Sequence, residues 1–132
     1  MSLVVDASVA VEYLLRTALG ERVDELFSGS VLAAPELMDA EVLAVLRREV
    51  LAGRLKARRA AEAIDDLRDW DIDRIAHRLL LADAWSLHGR VSGYDAFYVA
   101  AARLRNAMLI SADGPLTRAP SLGIPVQNIR IS

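Results

Sequence analysis

A chain of 132 residues is long enough for one domain, residues 1–132, that buries roughly two thirds of its unfolded surface. At 54% hydrophobic residues it is too apolar for a disordered chain, yet no apolar run approaches the roughly 20 residues of a membrane helix. The net charge of −2 marks no class of partner, and the lack of cysteine excludes disulfides, thiolate chemistry and cysteine zinc sites together.

Taken in order, the chain opens on Leu3-Val4-Val5-Asp6-Ala7-Ser8, a short apolar run that stops on a carboxylate. Such a run reads as a buried parallel strand, and Asp6 falls at its carboxyl end. No basic segment leading into an apolar one precedes it, so a cytoplasmic protein is expected. A helix is predicted over residues 8 to about 18, broken by Gly20, and a second over 21 to about 27. Residues 31–34 read as the second strand, with Pro35 suited to the first turn of a helix that runs to about 52 and stops at Gly53. Residues 56–70 are again helical, 71–73 suit a short exposed edge strand, and 75–87 suit a helix. A helix over 92–105, a buried strand over 107–110, a helical turn and a strand over 126–129 complete the chain. Strands alternating with helices predict a three-layer α/β/α domain around a central parallel sheet.

Charge is unevenly distributed. Arg47, Arg48, Arg54, Lys56, Arg58 and Arg59 form a basic block, and Glu62, Asp65, Asp66, Asp69, Asp71 and Asp73 an acidic one. Two solvated helix faces account for both. A basic patch for phosphates or for an acidic partner segment accounts equally well for the first. Lys56 is the single lysine, and no Gly-rich stretch ends on it, so a P-loop is excluded.

Four acids stand in apolar surroundings. Asp6 ends the first strand, and Asp113 lies just beyond the strand over 107–110. Glu41 falls in an apolar helical stretch whose other polar side chain is Asp39, and Asp95 shares a helix face with Tyr98, Val99 and Ala102. Each has a plain structural account. Asp6 can cap a helix, Ser92-x-x-Asp95 matches a capping box, Asp113-Gly114-Pro115 is ordinary turn chemistry, and Glu41 can answer a helix dipole. Together they weigh differently, because strand ends and early helix turns gather at one edge of a parallel sheet. Carboxylates about 4 Å apart repel by roughly 4 kcal/mol per pair at an effective dielectric near 20, so a cluster persists when protons or cations neutralise it. His77 and His88 suit no common zinc spacing. Oxygen ligands alone favour Mg²⁺ or Mn²⁺, ions that commonly serve phosphodiester hydrolysis.

At these residues the chain resembles the PIN-domain ribonucleases, and among them the VapC-type toxins of toxin–antitoxin pairs. Val4-Val5-Asp6-Ala7-Ser8 is similar to the family's opening strand, and Asp39-Ala40-Glu41-Val42 leading to Arg47-Arg48 to its glutamate helix. Residues 92–100, around Gly93-Tyr94-Asp95-Ala96, resemble its most recognisable segment, and Leu109-Ile110-Ser111-Ala112-Asp113 its final strand and acid. The resemblance implies a Mg²⁺- or Mn²⁺-dependent endoribonuclease that cuts structured RNA such as tRNA or rRNA. It implies a homodimer neutralised by a cognate antitoxin protein, and the lack of a long apolar run leads to the expectation of no membrane association. It would place the metal on Asp6, Asp95 and Asp113, with Glu41 binding metal or orienting water and Ser8 giving a supporting hydrogen bond. One departure is Gly114-Pro115-Leu116, where many relatives carry a further acid, so two ions are not implied.

Tyr94, Phe97 and Tyr98 crowd three aromatics into five residues, for which core or dimer packing is the preferred account and base stacking a secondary one. The apolar surfaces of the first four helices are the expected seat of an antitoxin tail. The alternative to a ribonuclease is a PIN-like protein-interaction or RNA-binding module that keeps the acids without cutting. An aspartyl-phosphate phosphatase needs a second aspartate where Ser8 stands, and a phospho-receiver needs a lysine after a late strand.

Overall fold

The computed structural model describes residues 1–112, 114–117 and 121–130. Strand β1 spans Ser2–Val5. Successive strand residues face opposite sides of a sheet, and Leu3, Val4 and Val5 are all 0% exposed, so both faces of β1 are covered. Strands β2 (Val31–Pro35), β3 (Asp73–Ile75), β4 (Met108–Ser111) and β5 (Val126–Asn128) join it in a five-stranded sheet of order β3-β2-β1-β4-β5. Every pairing is parallel, with Leu3 opposite Leu32 on one side and Met108 on the other. The predicted α/β architecture with a central parallel sheet is therefore present.

Helices α1 (Ala7–Leu14) and α2 (Ala18–Phe27) carry the chain from β1 to β2, and α3 (Leu37–Leu51) and α4 (Ala57–Asp69) carry it from β2 to β3. These four pack on one another. A 3-10 turn (His77–Leu79), α5 (Leu81–Ser86) and α6 (Gly93–Arg105) return the chain to the far side of β1, and α6 packs on β1, β2 and β4. The short α7 (Gly114–Thr117) precedes β5.

Several local readings change. The break between the first two helices lies at Arg16, whose φ of 55° is left-handed, and Thr17 caps α2 by accepting from the Gly20 N–H at 3.0 Å. Gly20 itself is inside α2, where a Cβ would lie 2.0 Å from the Glu12 carbonyl oxygen. It permits a close helix approach and breaks nothing. Pro35 ends β2 opposite Ile75. The first N–H of α3 is met instead by His77, whose Nε2 accepts from Leu37 N at 2.8 Å. The edge strand forms two residues later than predicted, over Asp73–Ile75, and takes Ile75 out of the helix that follows.

Strand order fixes where a site can form. From β1 the chain runs outward through β2 and β3, then returns to the opposite flank of β1 as β4. The crevice beyond the carboxyl ends of β1 and β4 is thus a topological switch point, the place where open α/β sheets bind ligands.

Candidate active site

Asp6 stands at that switch point. Its backbone N–H continues the sheet by donating to Ile110 O at 3.2 Å, and its side chain turns to cap α1. Oδ1 accepts from Val9 N at 3.1 Å and from Ser8 Oγ at 2.6 Å, while Oδ2 accepts from Ser111 Oγ at 2.5 Å. Only 5% of the residue is exposed. One carboxylate thus caps α1 and also stands at the sheet edge where a ligand is expected. Ser8 Oγ in turn accepts from Ala112 N at 3.0 Å, which ties the start of α1 to the end of β4.

Glu41 and Asp95 reach the same place from two helices. Glu41 is the fifth residue of α3, and Asp95 the third of α6, whose N-cap Ser92 accepts from Asp95 N at 3.2 Å. Glu41 is half-buried, and its Oε1 accepts from Tyr98 OH at 2.6 Å. Burial raises the Glu41 carboxyl above its ordinary pKa, the Tyr98 hydrogen bond offsets part of this, and the nearby negative Asp95 raises it again. Tyr98 is 2% exposed, and burial together with its bond to Glu41 pushes the phenol far above the usual tyrosine range. It therefore stays protonated and serves Glu41 as a donor.

Asp6, Ser8, Glu41, Arg48, Tyr94, Asp95 and Tyr98 line one cleft of about 550 Å³, bordered by α1, α3 and α6. Of the four acids expected from the sequence, the cleft brings together Asp6, Glu41 and Asp95. Asp113 lies outside the described residues. Among the described residues, no group of three or more His, Asp or Glu is gathered tightly enough to hold a metal by itself. The donor chemistry nonetheless fits a hard cation. The ionisable lining groups besides Arg48 are carboxyls and phenols, and two of the acids, Glu41 and Asp95, repel each other. A Mg²⁺-class ion needs only one or two protein carboxylates, its other positions being filled by water and substrate phosphate.

The sequence pattern alone does not mark Tyr98 or Ser111 as site residues. Tyr98 shared a helix face with Asp95 in the sequence, but its partner Glu41 is 57 residues away, so only the fold reveals the pair. The three aromatics take separate roles: Phe97 packs against His77 with ring centres 4.7 Å apart, Tyr98 holds Glu41, and Tyr94 is 68% exposed at the cleft. Asp39, the other acid of the apolar helix stretch, is engaged by Arg74 at 3.2 Å. The basic block also divides. Arg54 pairs with Glu49, Arg59 donates to Leu14 O, and Arg48 lines the cleft.

The chain matches the PIN domain family over residues 3–122. It is 35% identical to Ribonuclease VapC1 of Mycobacterium tuberculosis over 96% of its own length and 97% of that protein. Ribonuclease VapC3 of the same organism is 36% identical over 88% of this chain and 85% of the relative. Among solved structures, its fold is similar to that of VapBC2 from Rickettsia felis, crystallised with a DNA fragment from the promoter. That likeness has a TM-score of 0.65 at 12% identity and covers 96% of this chain and 98% of the other. It is also similar to Mycobacterium tuberculosis VapC20, a toxin that cleaves the sarcin-ricin loop, with a TM-score of 0.64 at 21% identity, covering 86% and 92% of the two chains. With a parallel sheet of this order, acids at its switch point and relatives of this kind along nearly its whole length, the chain belongs to the PIN-domain family.

Proposed function

We propose that this chain is an endoribonuclease that uses Mg²⁺ or Mn²⁺ to cut structured RNA, tRNA or rRNA, as the toxin of a type II toxin–antitoxin pair. The observation that carries the reading is the convergence of Asp6, Glu41 and Asp95 on one cleft from three separate elements. The names of the VapC relatives and the sarcin-ricin loop cleavage by VapC20 support the choice of RNA. A homodimer and a cognate antitoxin are part of the proposal, and VapBC2, a two-component structure, supports the second. The apolar groove between α3 and α4, rimmed by exposed Leu43 and Leu51, suits an antitoxin segment.

In this reading Asp6, Asp95 and Asp113 hold the cation. The bound ion would polarise a phosphate oxygen and lower the pKa of a water. Asp6 is fixed in orientation by Val9 N, Ser8 and Ser111, so it meets its ligand without reorganising. Glu41 has one oxygen anchored by Tyr98 and offers the other to an attacking water.

Asp6→Asn tests the reading with little risk to the fold. Asparagine is as good an N-cap as aspartate, and the Ser8 and Ser111 hydroxyls can rotate to suit an amide. RNA cleavage in Mn²⁺ is expected to fall at least 100-fold while circular dichroism is unchanged. Cleavage at the wild-type rate by the purified variant would sink the assignment.

A further inference from the structure

The cleft that holds the acids does not end at α3. Ser8, Val45 and Arg48 line it and also line a second cleft of about 400 Å³. The second cleft runs past Glu12 and Thr17 toward Arg54 and Arg130. Three guanidinium groups therefore border it, but they are not equivalent. Arg54 is paired with Glu49, and Arg130 with Glu12 at 3.2 Å. Arg48 lends some charge to neighbouring Glu49, yet its side chain forms no hydrogen bond or ion pair among the described residues. It is exposed, and it stands where the two clefts join.

Helix geometry sets what Arg48 can reach. Glu41, Ala44, Val45 and Arg48 follow the i, i+3, i+4, i+7 pattern of one helix stripe, and all four line the first cleft. Arg48 is thus about 10 Å further along α3 than Glu41. A group at that spacing meets a neighbouring phosphate and not the one at the acids. It must also be a cation, because a polyanion entering a cleft lined by Asp6, Glu41 and Asp95 needs positive charge close by. A planar guanidinium with its donors unspent suits a phosphate that it can hold with two parallel hydrogen bonds.

We propose that Arg48 is a positioning residue that seats the phosphate flanking the scissile one, and that the RNA strand continues from the acidic cleft over Arg48 into the second cleft. This rests on the ribonuclease reading above and extends it to the path of the substrate. The two clefts share residues, so a strand crosses from one to the other without leaving the surface. An apolar protein segment is better served by the separate groove between α3 and α4.

The test compares wild type, Arg48→Ala and Arg58→Ala. Arg58 is exposed in the same basic block but lines neither cleft. On a single-stranded RNA that wild type cuts, Arg48→Ala is expected to raise KM about tenfold with kcat within about twofold. Binding is measured separately on the Asp6→Asn background, which needs no cleavage. There the slope of log affinity against log salt should shrink by about 0.7, the value for one lost phosphate contact on a single strand. Arg58→Ala should leave both quantities near wild type, and Arg48→Lys should restore most of the slope. Equal losses from both alanine variants would indicate general attraction and overturn the proposal. So would a fall in kcat with unchanged KM, or an RNA slope unaffected by Arg48→Ala. Unaltered RNA binding combined with lost binding of an acidic peptide would give the cleft to a protein partner and likewise overturn it. Failure of wild type to cut any RNA would count against the ribonuclease reading, while the binding slopes would still judge the strand path.

Discussion

Tyr98 and Glu41 form the contact on which the chemistry of the cleft most depends. Burial keeps the phenol protonated, and its hydroxyl donates to Glu41 Oε1. Tyr98→Phe would keep the packing and remove that donor. A loss of about 1.5 kcal/mol is expected from urea unfolding, the low end of the range for bonds to charged groups because Glu41 is half-exposed to water. Titration gives a second check. The Glu41 carboxyl is raised in the folded protein, first by burial and then by Asp95, so the folded state keeps its proton to higher pH than the unfolded chain. Protonated Glu41 therefore contributes stability that is complete below the ordinary glutamate pKa and is lost as pH rises through the raised value. In metal-free protein, Glu41→Gln should remove that part of the decline as pH rises above the ordinary glutamate range. Identical pH profiles for wild type and Glu41→Gln would contradict the assignment. Asp6 could be singled out from sequence because a strand that stops on an acid is a local pattern. The pairing of Tyr98 with Glu41 could not, since it depends on two helices meeting.

Among the elements, the α1–α2 hairpin carries the most instructive departure from local pattern. A glycine near a helix end is usually read as a breaker, and Gly20 has that appearance. The chain turns earlier, at left-handed Arg16 and the Thr17 cap, and Gly20 is spent on letting α2 lie against the Glu12 carbonyl. The signal for a close approach is tertiary and leaves no mark in the neighbouring residues. Gly20→Ala would gain helix propensity, but its methyl would meet backbone at 2.0 Å, where no side chain can yield. A net destabilisation of about 1–3 kcal/mol is expected, from overpacking of the hairpin. An unchanged or raised melting temperature would show that the two helices separate freely. The same reasoning explains α3. Its start carries no serine, threonine or aspartate cap, and the N–H of Leu37 is met by His77 from 40 residues away. Helices α4 and α6, by contrast, were plain from periodicity, and α6 also from its Ser92 cap.

At the scale of the whole molecule, the order β3-β2-β1-β4-β5 turns four scattered sequence motifs into a statement about place. Local patterns show strands and helices but not which strands adjoin, and the switch point between β1 and β4 exists only once the order is known. Bringing Asp6, Glu41 and Asp95 to that point concentrates negative charge in the folded state alone, since the unfolded chain keeps these acids far apart. A cation that binds there stabilises the fold by mass action, whereas the unfolded chain offers it no site. At a free Mn²⁺ concentration of 100 times its dissociation constant, the gain is about 2.7 kcal/mol, which for a chain of this length raises the melting temperature by roughly 10 °C. The rise should be mostly lost in Asp6→Asn and in Asp95→Asn. It should persist in Arg48→Ala, whose side chain carries the wrong charge for a cation and acts, in our proposal, on RNA. Calorimetry of the three variants with and without Mn²⁺ separates these contributions. An equal rise in wild type and Asp6→Asn would move the cation away from the switch point. No rise in wild type would leave the acids without the neutralising partner that their crowding calls for.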